Sequence, residues 1–85
     1  MKTMRTKTGQ EIEAKWALGP LGNGQVFVDL PGDYTIGKAA QLFEGAPDTV
    51  ITEGDTEHVY KGYTELVGVQ RDRRKNETRL IFEKP

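Results

Sequence analysis

The chain has 85 residues, with 12 basic against 13 acidic side chains, one histidine and no cysteine. That length fits one domain with a single modest core and a radius of gyration of about 12 Å, and leaves little room for a deep, water-excluding cleft. Without cysteine there is no disulfide, thiolate metal site or cysteine nucleophile, and the near-zero net charge supplies no general pull toward nucleic acid or anionic lipid.

The start of the chain, residues 1–7, is positively charged but lacks the apolar stretch of a secretory signal. No window approaches the roughly 18 apolar residues of a membrane span. The expectation is a soluble, cytoplasmic protein with no membrane contact. Residues 3–7 read as the first arm of a hairpin, its polar side chains suiting an edge strand, with a turn at Thr8, Gly9 and Gln10. Residues 11–18 alternate: Ile12, Ala14, Trp16 and Leu18 on one face, Glu11, Glu13 and Lys15 on the other, the period of a half-buried strand. Three glycines and a proline between 19 and 24 make a loop. It lacks the following helix and the Lys-Ser/Thr pair of a phosphate loop.

Residues 26–30 form a third strand, with Val26, Val28 and Leu30 opposite Phe27 and Asp29. After the stop at Pro31, Gly32 and Asp33, Thr35 is placed to cap a helix whose apolar stripe is Ile36, Ala39, Ala40 and Phe43. Gly45, Ala46 and Pro47 end it. So short a helix is marginal alone and must pack on a sheet. Residues 49–53 read as a β-branched strand, 54–57 as a turn, 58–70 as a long extended segment with a bulge or bend near Gly62 or Gly68, 71–76 as a charged turn, and 78–83 as the last strand. The predicted class is α+β: a mainly antiparallel sheet of five or six strands in the order β-β-β-α-β-β-β, with the helix on one face. Trp16, Phe43, Phe82 and one of Tyr60 and Tyr63 are expected in the core.

The helix segment Thr35-Ile36-Gly37-Lys38-Ala39-Ala40-Gln41-Leu42-Phe43 carries a resemblance. So do Tyr60-Lys61-Gly62-Tyr63-Thr64-Glu65-Leu66-Val67 and the closing strand Thr78-Arg79-Leu80-Ile81-Phe82-Glu83-Lys84. Together, over about two-thirds of the chain, they resemble small uncharacterised proteins encoded in phages and prophages of Gram-positive bacteria. The resemblance implies a phage accessory protein in the host cytoplasm, either a virion or assembly component or an inhibitor of a host defence system. It carries no catalytic motif.

Enzymatic constellations are thin. His58 is the only imidazole, and Glu57 and Glu65 stand at no motif spacing from it. Glu11 and Glu13 share a face, as a carboxylate pair does, but on the side expected to be solvated. The acidic run lacks EF-hand spacing. The reading is therefore non-enzymatic, with no cofactor and no metal.

Charge distribution is more informative. Residues 44–57 hold Glu44, Asp48, Glu53, Asp55 and Glu57 with no basic residue, while residues 71–79 hold Arg71, Arg73, Arg74, Lys75 and Arg79 against two acids. The acidic segment suits the basic channel of a nucleic-acid enzyme, and Phe27 with Ile81 would make an apolar patch for a partner or for self-association. The expected function is a protein-binding accessory module using these residues. The alternative is a nucleic-acid-binding domain using Arg71, Arg73, Arg74 and Lys75, with Tyr60 and Tyr63 on the adjoining strand.

Overall fold

Eight strands and one helix follow one another along residues 1–85, all of which the computed structural model describes. They are β1 (Lys2–Arg5), β2 (Glu11–Ala14), β3 (Trp16–Leu18), β4 (Gln25–Pro31), α1 (Ile36–Phe43), β5 (Asp48–Glu53), β6 (Thr56–Lys61), β7 (Glu65–Asp72) and β8 (Glu77–Glu83). The expected class holds: the protein is α+β, and every strand pair is antiparallel. The strands divide into two four-stranded sheets, β2-β1-β5-β6 and β3-β4-β8-β7. The radius of gyration is 11.6 Å.

The inner faces meet in one core. Met4 and Ile51 come from the first sheet, Val26, Val28, Leu30, Leu80 and Phe82 from the second, and Ala39 and Phe43 from α1. The helix therefore belongs to a two-layer core rather than resting on a single sheet. Thr35 caps it as its sequence implies, its hydroxyl accepting from the Lys38 amide at 3.1 Å. At the other end the Leu42 carbonyl accepts the Lys7 amide at 2.9 Å, joining the helix to the loop after β1. The link from β4 into the helix hangs on Thr78, whose buried hydroxyl donates to the Gly32 carbonyl and accepts from the Tyr34 amide, both at 2.9 Å. No buried side-chain nitrogen or oxygen lacks a partner.

Besides the division into two sheets where one of five or six strands was expected, three features differ from the sequence reading. Residues 11–18 are not one strand but two: the chain bends at Lys15, whose amide donates to the Asp29 carbonyl at 2.7 Å, and passes from the first sheet to the second. The alternation slips by one residue there, so Ala14 is buried while Trp16 and Leu18 point outward and Ala17 turns in. Trp16 is thus outside the core. Second, β1 is an interior strand flanked by β2 and β5, held there by its one large apolar side chain, Met4. Third, Gly62, Tyr63 and Thr64 break residues 58–70 into β6 and β7, which lie in different sheets. That corner is pinned by the Asp48 carboxylate accepting the Gly62 amide at 2.8 Å and by the Thr49 hydroxyl donating to the Tyr63 carbonyl at 2.7 Å. The expected irregularity near Gly68 is present as a register shift between Leu66 and Gly68. The one helix has eight residues, and no helix is long and apolar enough to cross a membrane.

Candidate protein-binding surface

The second sheet turns one face to the core and the other to solvent, and strand pairing arranges the outer side chains in rows. One row is Leu18, Phe27, Ile81 and Gly68 on β3, β4, β8 and β7; the next is Trp16, Asp29, Arg79 and Gln70. Beyond these lie Glu77 and Asp72 on one side, and Gln25, Glu83 and Glu65 on the other. Neighbouring strands stand ~4.8 Å apart and successive outward residues ~6.6 Å apart, so the two central rows form a patch about 14 Å across.

Its relief comes from side-chain size. Gly68 leaves a gap that Ile81 fills: a Cβ at residue 68 would lie 3.0 Å from Ile81 Cδ1. Ile81 is consequently only 9 % exposed, so the expectation of an open Ile81 is corrected. Phe27 is half-buried, with the Arg79 guanidinium carbon 5.0 Å from its ring centre. Arg79 is held in turn by a two-pronged bond to Asp29 at 2.8 and 3.1 Å, which raises its pKa further. The open apolar area comes instead from Trp16 and Leu18, each 43 % exposed, and from Val67 at the irregularity in β7.

The basic turn adjoins this patch. Arg73, Arg74 and Lys75 line an open concavity of about 670 Å³ together with Asp29, Gln70 and Glu77, and no hydrophobic residue contributes to it. Lys75 also flanks Trp16, alongside Lys15 and Glu77. Many charges here are internally matched. Arg71 bonds Asp33 at 2.5 and 2.8 Å, Lys15 bonds Glu77, which raises the lysine pKa, and Asp72 accepts the Arg74 and Lys75 amides. Arg73, Arg74 and Lys75 make no ion pair. The two tyrosines are not near them. They precede β7, whose eight residues separate them from the turn by about 23 Å.

The acidic segment does not form one surface. Glu44 and Asp48 lie at one end of β5, and Glu53, Asp55 and Glu57 at the other, about 17 Å away. Asp48 is engaged with the Gly62 amide, and Glu57 with Arg5 at 2.8 Å. Only Glu53 and Asp55 share a free tip. His58 is exposed on β6 and makes no side-chain hydrogen bond or ion pair, and Glu11 accepts from the Thr3 hydroxyl at 2.8 Å on the outer face of the first sheet. No three His, Asp or Glu side chains gather as a metal would require. The residues missed by sequence reasoning are Trp16, Leu18 and Val67. Nothing in the local alternation marks the slip at Lys15, although a glycine at 68 inside a strand was a usable sign of an uneven sheet surface.

No protein-family model, curated protein or solved structure matches the chain.

Proposed function

We propose that the chain is a non-enzymatic protein-binding accessory module that engages its partner through the outer face of the second sheet, centred on Trp16, Leu18 and Phe27. The observation that carries this reading is the exposure of Trp16 and Leu18 beside Phe27 on a hydrogen-bonded sheet. Rigid aromatic side chains next to an arginine are the composition of binding hot spots, and a sheet holds them without the ordering cost of a loop. The resemblance to phage-encoded proteins supports an accessory role, as a virion or assembly component or an inhibitor of a host defence system.

A second reading, single-stranded nucleic acid, is favoured by the unpaired Arg73, Arg74 and Lys75 next to Trp16. It ranks lower because Asp29 and Glu77 already neutralise two of the cations on the face itself.

Affinity capture with three forms of the protein separates the two. The native protein and R73E/R74E should retain the same partner, and W16A/L18A should lose it with its melting curve unchanged. Capture that survives W16A/L18A would overturn the proposal. Oligonucleotide binding that quenches the single tryptophan, falls steeply with salt and disappears in R73E/R74E would establish the second reading instead.

A further inference from the structure

The two sheets have four edge strands, and three of them are blunted. β2 and β3 are four and three residues long, and β7 carries the register shift at Leu66/Gly68 and lies beside α1. Short length, bulges and covering helices are the usual means of stopping an edge from pairing with another chain. β6 has none of these three, and of the devices that blunt an edge it carries only charge, at Glu57 and Lys61. It is six residues long, without glycine, proline or bulge, paired in unbroken register with β5 alone, and nearly all of it is exposed.

Which of its backbone groups are free follows from the hairpin. β5 and β6 are joined by two residues, Gly54 and Asp55; Gly54 has φ +60° and Asp55 a negative φ, the pattern of a II′ turn. In such a hairpin the closing pair, Glu53 and Thr56, exchanges both its hydrogen bonds, and the pairs then alternate. Thr56, His58 and Tyr60 therefore bond to β5. Glu57, Val59 and Lys61 direct their N–H and C=O groups away from it, and none of these groups has a partner elsewhere in the chain.

This edge borders an open groove of about 560 Å³, whose lining includes Glu57, Val59 and Lys61 of the strand together with Pro20, Tyr63 and Lys84. Its charge is one-sided. Glu57 is occupied by Arg5, whereas Lys61 and Lys84 make no ion pair, and the Lys84 ammonium lies 5.3 Å from the Tyr63 ring centre.

We infer that β6 is a strand-addition site that takes an extended acidic peptide segment of a partner protein, pairing with the backbone of Glu57, Val59 and Lys61 while Lys61 and Lys84 select carboxylates. This site is separate from the Trp16 face and stands whether or not that face binds a partner.

The test uses the full chain and a labelled seven-residue peptide of alternating valine and glutamate, with its valine–lysine counterpart as control. Saturable binding of the acidic peptide should raise the hydrogen-exchange protection of the Glu57, Val59 and Lys61 amides at least tenfold. The lysine peptide should bind at least tenfold more weakly. Val59→Pro removes an outward N–H that β5 does not use, so the hairpin persists and binding is lost. Should that variant unfold, K61E/K84E tests the same site by abolishing the preference for the acidic peptide. No saturable binding, equal binding of both peptides, or shifts at Trp16 instead of β6 would each overturn the proposal. Dimerisation that protects the same three amides without peptide would also overturn it, because the occupant would then be a second copy.

Discussion

Thr78→Val tests whether hydrogen bonding, rather than packing, holds the second sheet to the helix. Valine keeps the volume of threonine but offers neither the donor for the Gly32 carbonyl nor the acceptor for the Tyr34 amide, and the site is fully buried. Each buried polar group left unpaired costs about 1–3 kcal/mol, so the pair is expected to cost about 3 kcal/mol after partial relaxation. A chain of this length has a total stability of about 4–13 kcal/mol. At roughly 4–8 °C per kcal/mol for so small a domain, the midpoint should fall by about 12–24 °C in a thermal melt followed by circular dichroism. Thr78→Ser keeps both bonds and loses one methyl, at about 1 kcal/mol. The polar variant should therefore be the more stable of the two. If Thr78→Val melts within about 4 °C of the native protein, or above Thr78→Ser, the two bonds do not hold this connection.

Phe43→Ala empties a site shared by both sheets and should cost about 3–5 kcal/mol in urea titration, whereas Ile36→Ala, on the exposed side of the same helix, should cost less than about 0.5 kcal/mol. Acrylamide should quench Trp16 readily in the folded protein, though less than in the urea-unfolded chain because part of the ring lies on the sheet; strong protection would place the indole in the core after all. Gly68→Ala should push Ile81 off the sheet, moving its methyl resonances and costing about 1–2 kcal/mol. The bond from Arg71 holds the Asp33 carboxyl below its ordinary 3.8. As pH falls, the unfolded chain therefore takes up this proton first. The stability the pair contributes is complete above about pH 4 and is lost as pH drops through the lower folded-state value. Asp33→Asn should flatten that part of the acid limb in denaturation curves measured between about pH 5 and pH 2.

The capped helix, the β5–β6 turn, the loop at 19–24 and the irregularity at Gly68 were legible because each rests on chemistry within a few residues. Thr35 accepts an amide three positions on, and Gly54 adopts its φ within the turn itself. What was not legible depends on partners far along the chain. β1 looks like an edge strand from its own polar residues, and only β5, more than forty positions later, makes it interior. Trp16 belongs to an alternation that reads unbroken from Ile12 to Leu18; its exposure is decided by the Asp29 carbonyl that catches the Lys15 amide. The acidic residues are contiguous in sequence, yet an extended strand carries its ends apart, so proximity along the chain did not become proximity in space.

Because β2 runs on into β3 through the single residue Lys15, the orientation of the contact surface is inherited from the opposite layer. Adding or deleting one residue there would rotate the indole inward and bring Ala17 out, whereas the same change in the turn at 7–10 would leave it undisturbed. The molecule thus has a point where length cannot drift: the count from Ala14 to Trp16.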